Sequence, residues 1–188
     1  GFTGLLTNIP FLIGAAATAA VAGFGAMIKS SIDMADSLNE MSQRTGASVE
    51  FLSKMAFVAE LSGTSIENLE VGFKKLSRAM NDASNGLATA KRPFDQLGIS
   101  VNDAEGNLRD VEEVVFDVAD RFAMMKDGAQ KTAMSMEIFG RSGASLIPIL
   151  NEGSTGLQKQ FEVAKQLGVE ISTNTAKQAD EFKDNLTL

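Results

Sequence analysis

Gly140-Arg141-Ser142-Gly143-Ala144-Ser145, set between Phe139 and the aliphatic run Leu146–Leu150, is where residue types and spacing come nearest to chemistry. Two glycines, an arginine and two serines suggest a loop that cradles phosphate, or a nucleophilic serine on a sharp turn. The phosphate loop requires GxxxxGK[ST] after a strand, with the lysine reaching the phosphates. Here no Lys follows Gly143, and Ala133–Phe139 reads as helix. The serine elbow GxSxG fails because Ala144 stands where its last glycine belongs and the chain has no His to activate Ser142. Lys131 upstream leaves a Ser–Lys pair open on residue types alone. A structural reading uses every residue instead. Gly140 ends a helix, Ser142 caps the next, Gly143 permits close packing, Leu146–Leu150 packs and Pro148 limits the helix.

Acidic groups pass no better as catalysts. Glu112–Glu113 falls in the first turn of a helix, where the macrodipole favours negative charge by some tenths of a kcal/mol. Asp180–Glu181 falls on a polar helix face. A glycosidase would need two carboxylates converging on a cleft, and the aromatics are all Phe, with no Trp or Tyr platform. Asn102–Asn107 (NDAEGN) resembles a calcium loop, but counting back from Gly106 puts Val101 where the first ligand belongs. No catalytic, cofactor or metal site is expected.

Composition points the same way. The chain of 188 residues has neither His nor Cys, which removes the usual general base, the usual zinc ligands and any thiol nucleophile. Its net charge is −7, and its basic residues cluster no further than Lys91–Arg92 and Lys74–Lys75. Specific nucleic-acid binding is therefore disfavoured. Nine Met supply adaptable packing that suits helices able to slide or repack.

The elements that would carry these residues are helices. Gly1–Ile28 is uncharged, and Gly14, Thr18, Ala22 and Ala26 form a small-xxx-small stripe suited to close helix contact or to a membrane-active segment; a signal-peptide remnant is the third reading, and no basic n-region accompanies it. The chain opens inside this apolar run with Gly rather than Met, and reads as part of something longer. Ile66, Leu69, Phe73, Leu76, Met80, Ala83, Leu87, Ala90, Phe94 and Leu97 alternate spacings of three and four, a heptad seam of coiled-coil type. Asn85-Gly86 and Pro93 each predict a bend or break in it. A second stripe runs Val111, Val114, Val115, Val118, Ala119, Phe122, Met125, with Asp110 and Glu113 placed as a capping box; Thr64 and Glu67 offer the same device. Further stripes run Leu157, Phe161, Ala164, Leu167 and Ala179, Phe182, Leu186.

Two echoes join these pieces. Gly46-Ala47-Ser48-Val49-Glu50 returns as Gly63-Thr64-Ser65-Ile66-Glu67, and Leu97-Gly98-Ile99-Ser100 as Leu167-Gly168-Val169-Glu170-Ile171-Ser172. Each glycine can end a helix left-handed, and each Ser or Thr can cap the next. The expected fold is all-α, an elongated series of short amphipathic helices with coiled-coil-like packing. At most one small β-hairpin is expected, near 99–109. The regions divide as the apolar helix 1–28, the seam region 29–97, the turn 98–109 and the helical region 110–188.

The order of these pieces carries a resemblance over about Ile28–Phe182. The G-A-S-V-E and G-T-S-I-E corners, the LGI segment with its NDAEGNLRD turn, and FGRSGASLIPIL followed by NEG resemble the tail tape measure proteins of long-tailed bacteriophages and prophages. The resemblance implies a much longer, mainly helical protein, several copies of which fill the lumen of the tail tube. There it sets tail length and is released at infection to assist genome passage, its apolar segments entering the host membrane. It also implies assembly in the host cytoplasm with tail tube protein, tail assembly chaperones and tail tip or baseplate proteins. No enzymatic role comes with it. Two other classes fit the residues: a membrane-active, pore-forming effector that inserts residues 1–28, and a cytoplasmic coiled-coil scaffold built on residues 66–97.

Overall fold

The computed structural model describes residues 31–177, and their fold is all-α. The helices are α1 (Ser31–Thr45), α2 (Val49–Leu61), α3 (Ile66–Ser84), α4 (Ala88–Leu97), α5 (Val111–Met124), α6 (Ala129–Phe139), α7 (Gly143–Leu150) and α8 (Gly153–Gln166), with a 3₁₀ turn at Gly140–Ser142. A further helical turn starts at Thr173. The stripe Gly14, Thr18, Ala22, Ala26 and the stripe Ala179, Phe182, Leu186 lie outside the described residues. Among the described residues no helix is long and apolar enough to cross a membrane.

The helices fold back on one another around a core that runs from Ala35 to Ala176 and crosses the 98–109 turn without interruption. Helix α3 is its centre and meets α1, α2, α4, α5, α6 and α7. The seam residues Leu69, Phe73, Leu76 and Met80 are fully buried, as is Phe94 on α4; Leu97 is buried and Ile66 half-buried. They pack into a core shared by many helices, not along one partner helix. Leu87 departs from the seam and is 53% exposed. The reason lies one residue earlier. Gly86 takes φ +85° and Leu87 donates its N–H to the Asp82 carbonyl, so the chain turns and the helical phase restarts.

Pro93 breaks nothing. It sits inside α4, and Pro148 sits inside α7. The carbonyls deprived of a donor belong to Thr89 and Ala144, one turn earlier, and both of those residues are exposed where water can serve them.

The repeated corner is real. Gly63, Gly86, Gly98 and Gly168 all have left-handed φ, and the residue after each donates its N–H five positions back: Thr64 to Ala59, Leu87 to Asp82, Ile99 to Phe94, Val169 to Ala164. This is the Schellman stop. Gly46 uses the simpler form, donating to Ser42. The caps that follow are Ser48, which accepts from the Phe51 N–H at 3.1 Å, and Ser65, which accepts from Asn68 at 3.4 Å. Thr64 is thus not the cap of α3; the capping residue lies one place later, and its hydroxyl also holds the Glu67 carboxyl below the usual range. Asp110 makes no side-chain cap, and Glu113 turns instead to Arg109 at 3.2 Å.

The hairpin is reduced to one antiparallel bridge between Asn102 and Leu108. Asp103 organises its tip, accepting from the N–H groups of Glu105 (3.0 Å) and Asn107 (2.7 Å). A carboxylate occupied by its own loop in this way is a turn device.

Candidate functional site

The Phe139–Leu150 joint is built on the glycines flanking it and on a notch in α3. Gly140 ends α6 with φ +68°, and the 3₁₀ turn leads straight into α7. Gly143 donates its N–H to the Gly140 carbonyl, so that amide is not presented to an anion. A Cβ on Gly143 would lie 2.3 Å from the Ser135 carbonyl oxygen and 2.9 Å from the Met136 nitrogen. This is backbone against backbone, and only glycine fits. The Ser135 hydroxyl, fully buried, donates to the Gly143 carbonyl at 2.6 Å and closes the α6–α7 contact.

On the other side, Gly72 of α3 receives the joint. A Cβ there would lie 2.6 Å from Leu146 Cδ1 and 3.7 Å from Phe139 Cβ. Leu146, Ile149 and Leu150 are buried, as the aliphatic block implies. Thr64, at the α2–α3 corner, donates its hydroxyl to the Ser145 carbonyl at 2.6 Å. One corner of the chain is therefore bonded to another.

Ser142 is buried but gives α7 no side-chain cap hydrogen bond, so its expected capping role is replaced by the continuous 3₁₀-to-α backbone. Lys131, 2% exposed, spends its ammonium on the Met125 carbonyl (2.9 Å) and the Asp127 carboxylate (2.8 Å). The Lys131 hydrogen bond, with help from the Asn151 amide, holds the Asp127 carboxyl below its ordinary value. That lysine is a charged tie for the α5–α6 loop, not an amine poised to activate a serine. Among the described residues no group of three acidic side chains is placed to hold a metal ion.

Three carboxylates do long-range work that residue order conceals. Glu112 of α5 accepts from the Ser48 N–H at 2.7 Å, at the start of α2. Asp120 of α5 accepts from the Ser154 N–H (2.7 Å) and hydroxyl (2.9 Å), at the start of α8. Glu50 of α2 accepts from the Thr173 N–H (2.6 Å) and hydroxyl (2.7 Å), at the start of the last helical turn. Each satisfies an orphan donor at a helix N-terminus with an anion from another helix. Only Gly72 offered a local signal: a glycine inside a helix costs about 1 kcal/mol and so marks a close approach.

The aromatic side chains centre on Phe51. Its ring lies 6.1 Å from Phe73, 5.8 Å from Phe116 and 5.6 Å from Phe161, which joins α2, α3, α5 and α8. The arrangement as a whole is a set of helix corners locked to one another by glycine contacts and carboxylate caps. No protein-family model, curated protein or solved structure matches the chain.

Proposed function

We propose that the chain is a structural segment of a tail tape measure protein, working in the lumen of a phage tail tube beside copies of itself, and is not an enzyme. The observation that carries this reading is the repeated glycine corner. One stop device recurs at Gly63, Gly86, Gly98 and Gly168 between short helices, so the same chain can be stored folded or drawn out. The ordered resemblance over Ile28–Phe182 supports the same reading. So does the joint Phe139–Leu150, whose glycines and serine serve packing.

A ruler converts residue number into distance. Drawn into single-file helix, residues 31–177 would reach roughly 220 Å at the helical rise. That conversion needs the glycine corners to open and the turn 98–109 and the stretch 169–172 to become helical. The remaining partners under this reading are the tail tube protein, the tail assembly chaperones and the tail tip or baseplate, with the host membrane met at infection.

The test is tail length by electron microscopy after in-frame deletion of Val111–Leu188 from the parent gene. Those 78 residues correspond to a shortening of about 120 Å if they lie as extended helix. A smaller shortening indicates that the folded-back form persists in the tail. Tails of unchanged length overturn the reading.

A further inference from the structure

The chain after α8 leaves on a free hinge. Gly168 has φ +70°, and nothing lies within 4 Å of where its Cβ would stand. From Val169 to Ser172 the backbone has no regular structure, then turns helical at Thr173. Val169 is tied to α8 by its N–H on the Ala164 carbonyl, and the polar contacts of residues 170–173 with the other described helices come from one turn of α2. Ser53 accepts the Ile171 N–H at 3.1 Å, Glu50 accepts the Thr173 N–H and hydroxyl, and Lys54 pairs with Glu170 at 3.0 Å. The apolar anchoring is slight: Val169 and Ala176 are buried, while Ile171 is half-buried.

Under Val169 the packing is separate from the main core, whereas Ala176 belongs to that core and Ile171 packs against its edge. Ala56 and Phe57 of α2 pack with Val163 and Ala164 of α8 and with Val169 in a small satellite cluster. Beside it is a cavity of about 420 Å³ lined by Lys54, Lys159, Phe161, Glu162, Lys165 and Glu170, among others. Glu170 neutralises Lys54 only while the stretch is down.

We propose that residues 169–177 form a strap that swings off α2 as a unit about Gly168 while the helices of the main core stay packed, uncovering a face of α2 and α8 that carries Glu50, Lys54, Lys159, Phe161, Glu162 and Lys165. Segments held by few buried apolar groups and by solvent-accessible polar bonds open below the global unfolding free energy. The strap fits that description, and α5, with Val114, Val115, Val118, Ala119 and Phe122 all fully buried, does not. With the strap off, Lys54 loses Glu170 and keeps Glu50, one turn earlier on α2, as its acidic neighbour. The inference stands on the contacts of α2 and does not depend on the tail reading.

Amide hydrogen exchange of the full chain, resolved by residue, tests it directly, because the Ile171 and Thr173 amides are themselves the latch. Their protection is expected to lie about a hundredfold or more below that of Val118 and Leu76 in the main core. Glu50→Gln removes the charged acceptor and is expected to lower the protection of Ile171 and Thr173 about tenfold further, with the gap separating them from Val118 and Leu76 kept. Because Glu50 also stands in the first turn of α2, Thr173→Val serves as the second variant. It alters only the strap and is expected to move the same two amides in the same direction. Ile171 and Thr173 as strongly protected as Val118 and Leu76, in the native chain or in either variant, would overturn the proposal.

Discussion

The Glu112 carboxylate receives the Ser48 backbone N–H at 2.7 Å across 64 positions of sequence, so the first turn of α5 caps the corner between α1 and α2. The same corner is held from α3, where the Ser77 hydroxyl donates to the Thr45 carbonyl. Two adjacent acids of α5 thereby acquire different duties. Glu112 ties distant elements, while Glu113 meets Arg109 four residues away at the surface. Glu112→Ala should cost about 2 kcal/mol, the scale of a hydrogen bond to a charged group. Glu113→Ala should cost less than about 0.5 kcal/mol, as exposed helical pairs do. Urea denaturation of the two variants checks this, and equal losses would contradict it.

Gly143→Ala should destabilise the fold by about 2 kcal/mol or more, because the new methyl group meets the Ser135 backbone 2.3 Å away and neither helix can yield locally. Gly63→Ala has open space around it but a φ of +71°, so its cost should stay near 1 kcal/mol. Thermal melts rank the pair. An unchanged melting temperature for Gly143→Ala would remove the packing role of the joint.

The heptad seam makes a sharp internal contrast. Leu76→Ala should lose about 2–5 kcal/mol through the cavity it leaves in the centre of α3. Leu87→Ala, at a position 53% exposed, should stay within about 0.5 kcal/mol. If residues 66–97 formed a coiled-coil seam in solution, both would destabilise strongly.

Acid should loosen the strap through Glu50. Burial pushes its carboxyl up, but the hydrogen bonds from the Thr173 N–H and hydroxyl, its own backbone N–H and the nearby Lys54 charge outweigh that and hold it below its ordinary value of 4.5. The folded form therefore binds the proton more weakly than the unfolded chain. The stabilisation is complete above the ordinary carboxyl range and is lost as pH falls through the depressed value. Lys54 and Glu170 face the same turn and pair with each other at 3.0 Å. The stability difference between the native chain and Glu50→Gln, followed by urea titration from neutral pH downward, should shrink in that acidic window. A constant difference would exclude Glu50 as the source.

Helix existence and the core-facing stripes were legible in the residues, because a 3.6-residue period needs only local spacing to declare itself. Val111, Val114, Val115, Val118, Ala119 and Phe122 are buried as their spacing implies. So too were the glycine corners at Gly46, Gly63, Gly98 and Gly168, whose left-handed φ follows from chain-local sterics. The cap of α3 was legible only to within one residue, since Thr64 and Ser65 have the same chemistry. Tertiary packing then sent Thr64 to the Ser145 carbonyl.

What the tertiary structure alone decided is which corner meets which. Glu112 with Ser48, Asp120 with Ser154 and Glu50 with Thr173 are pairings between a carboxylate and a helix N-terminus, and any acid in the chain satisfies the chemistry. Selecting among them requires the three-dimensional arrangement of α2, α5 and α8. The phase of Leu87 was likewise undecidable from spacing, because a heptad count runs on through Gly86 while the backbone does not. Local sterics and periodicity act within a few residues and are written in the chain. Contacts between its corners depend on how whole helices pack, and that is set only when the core closes around α3.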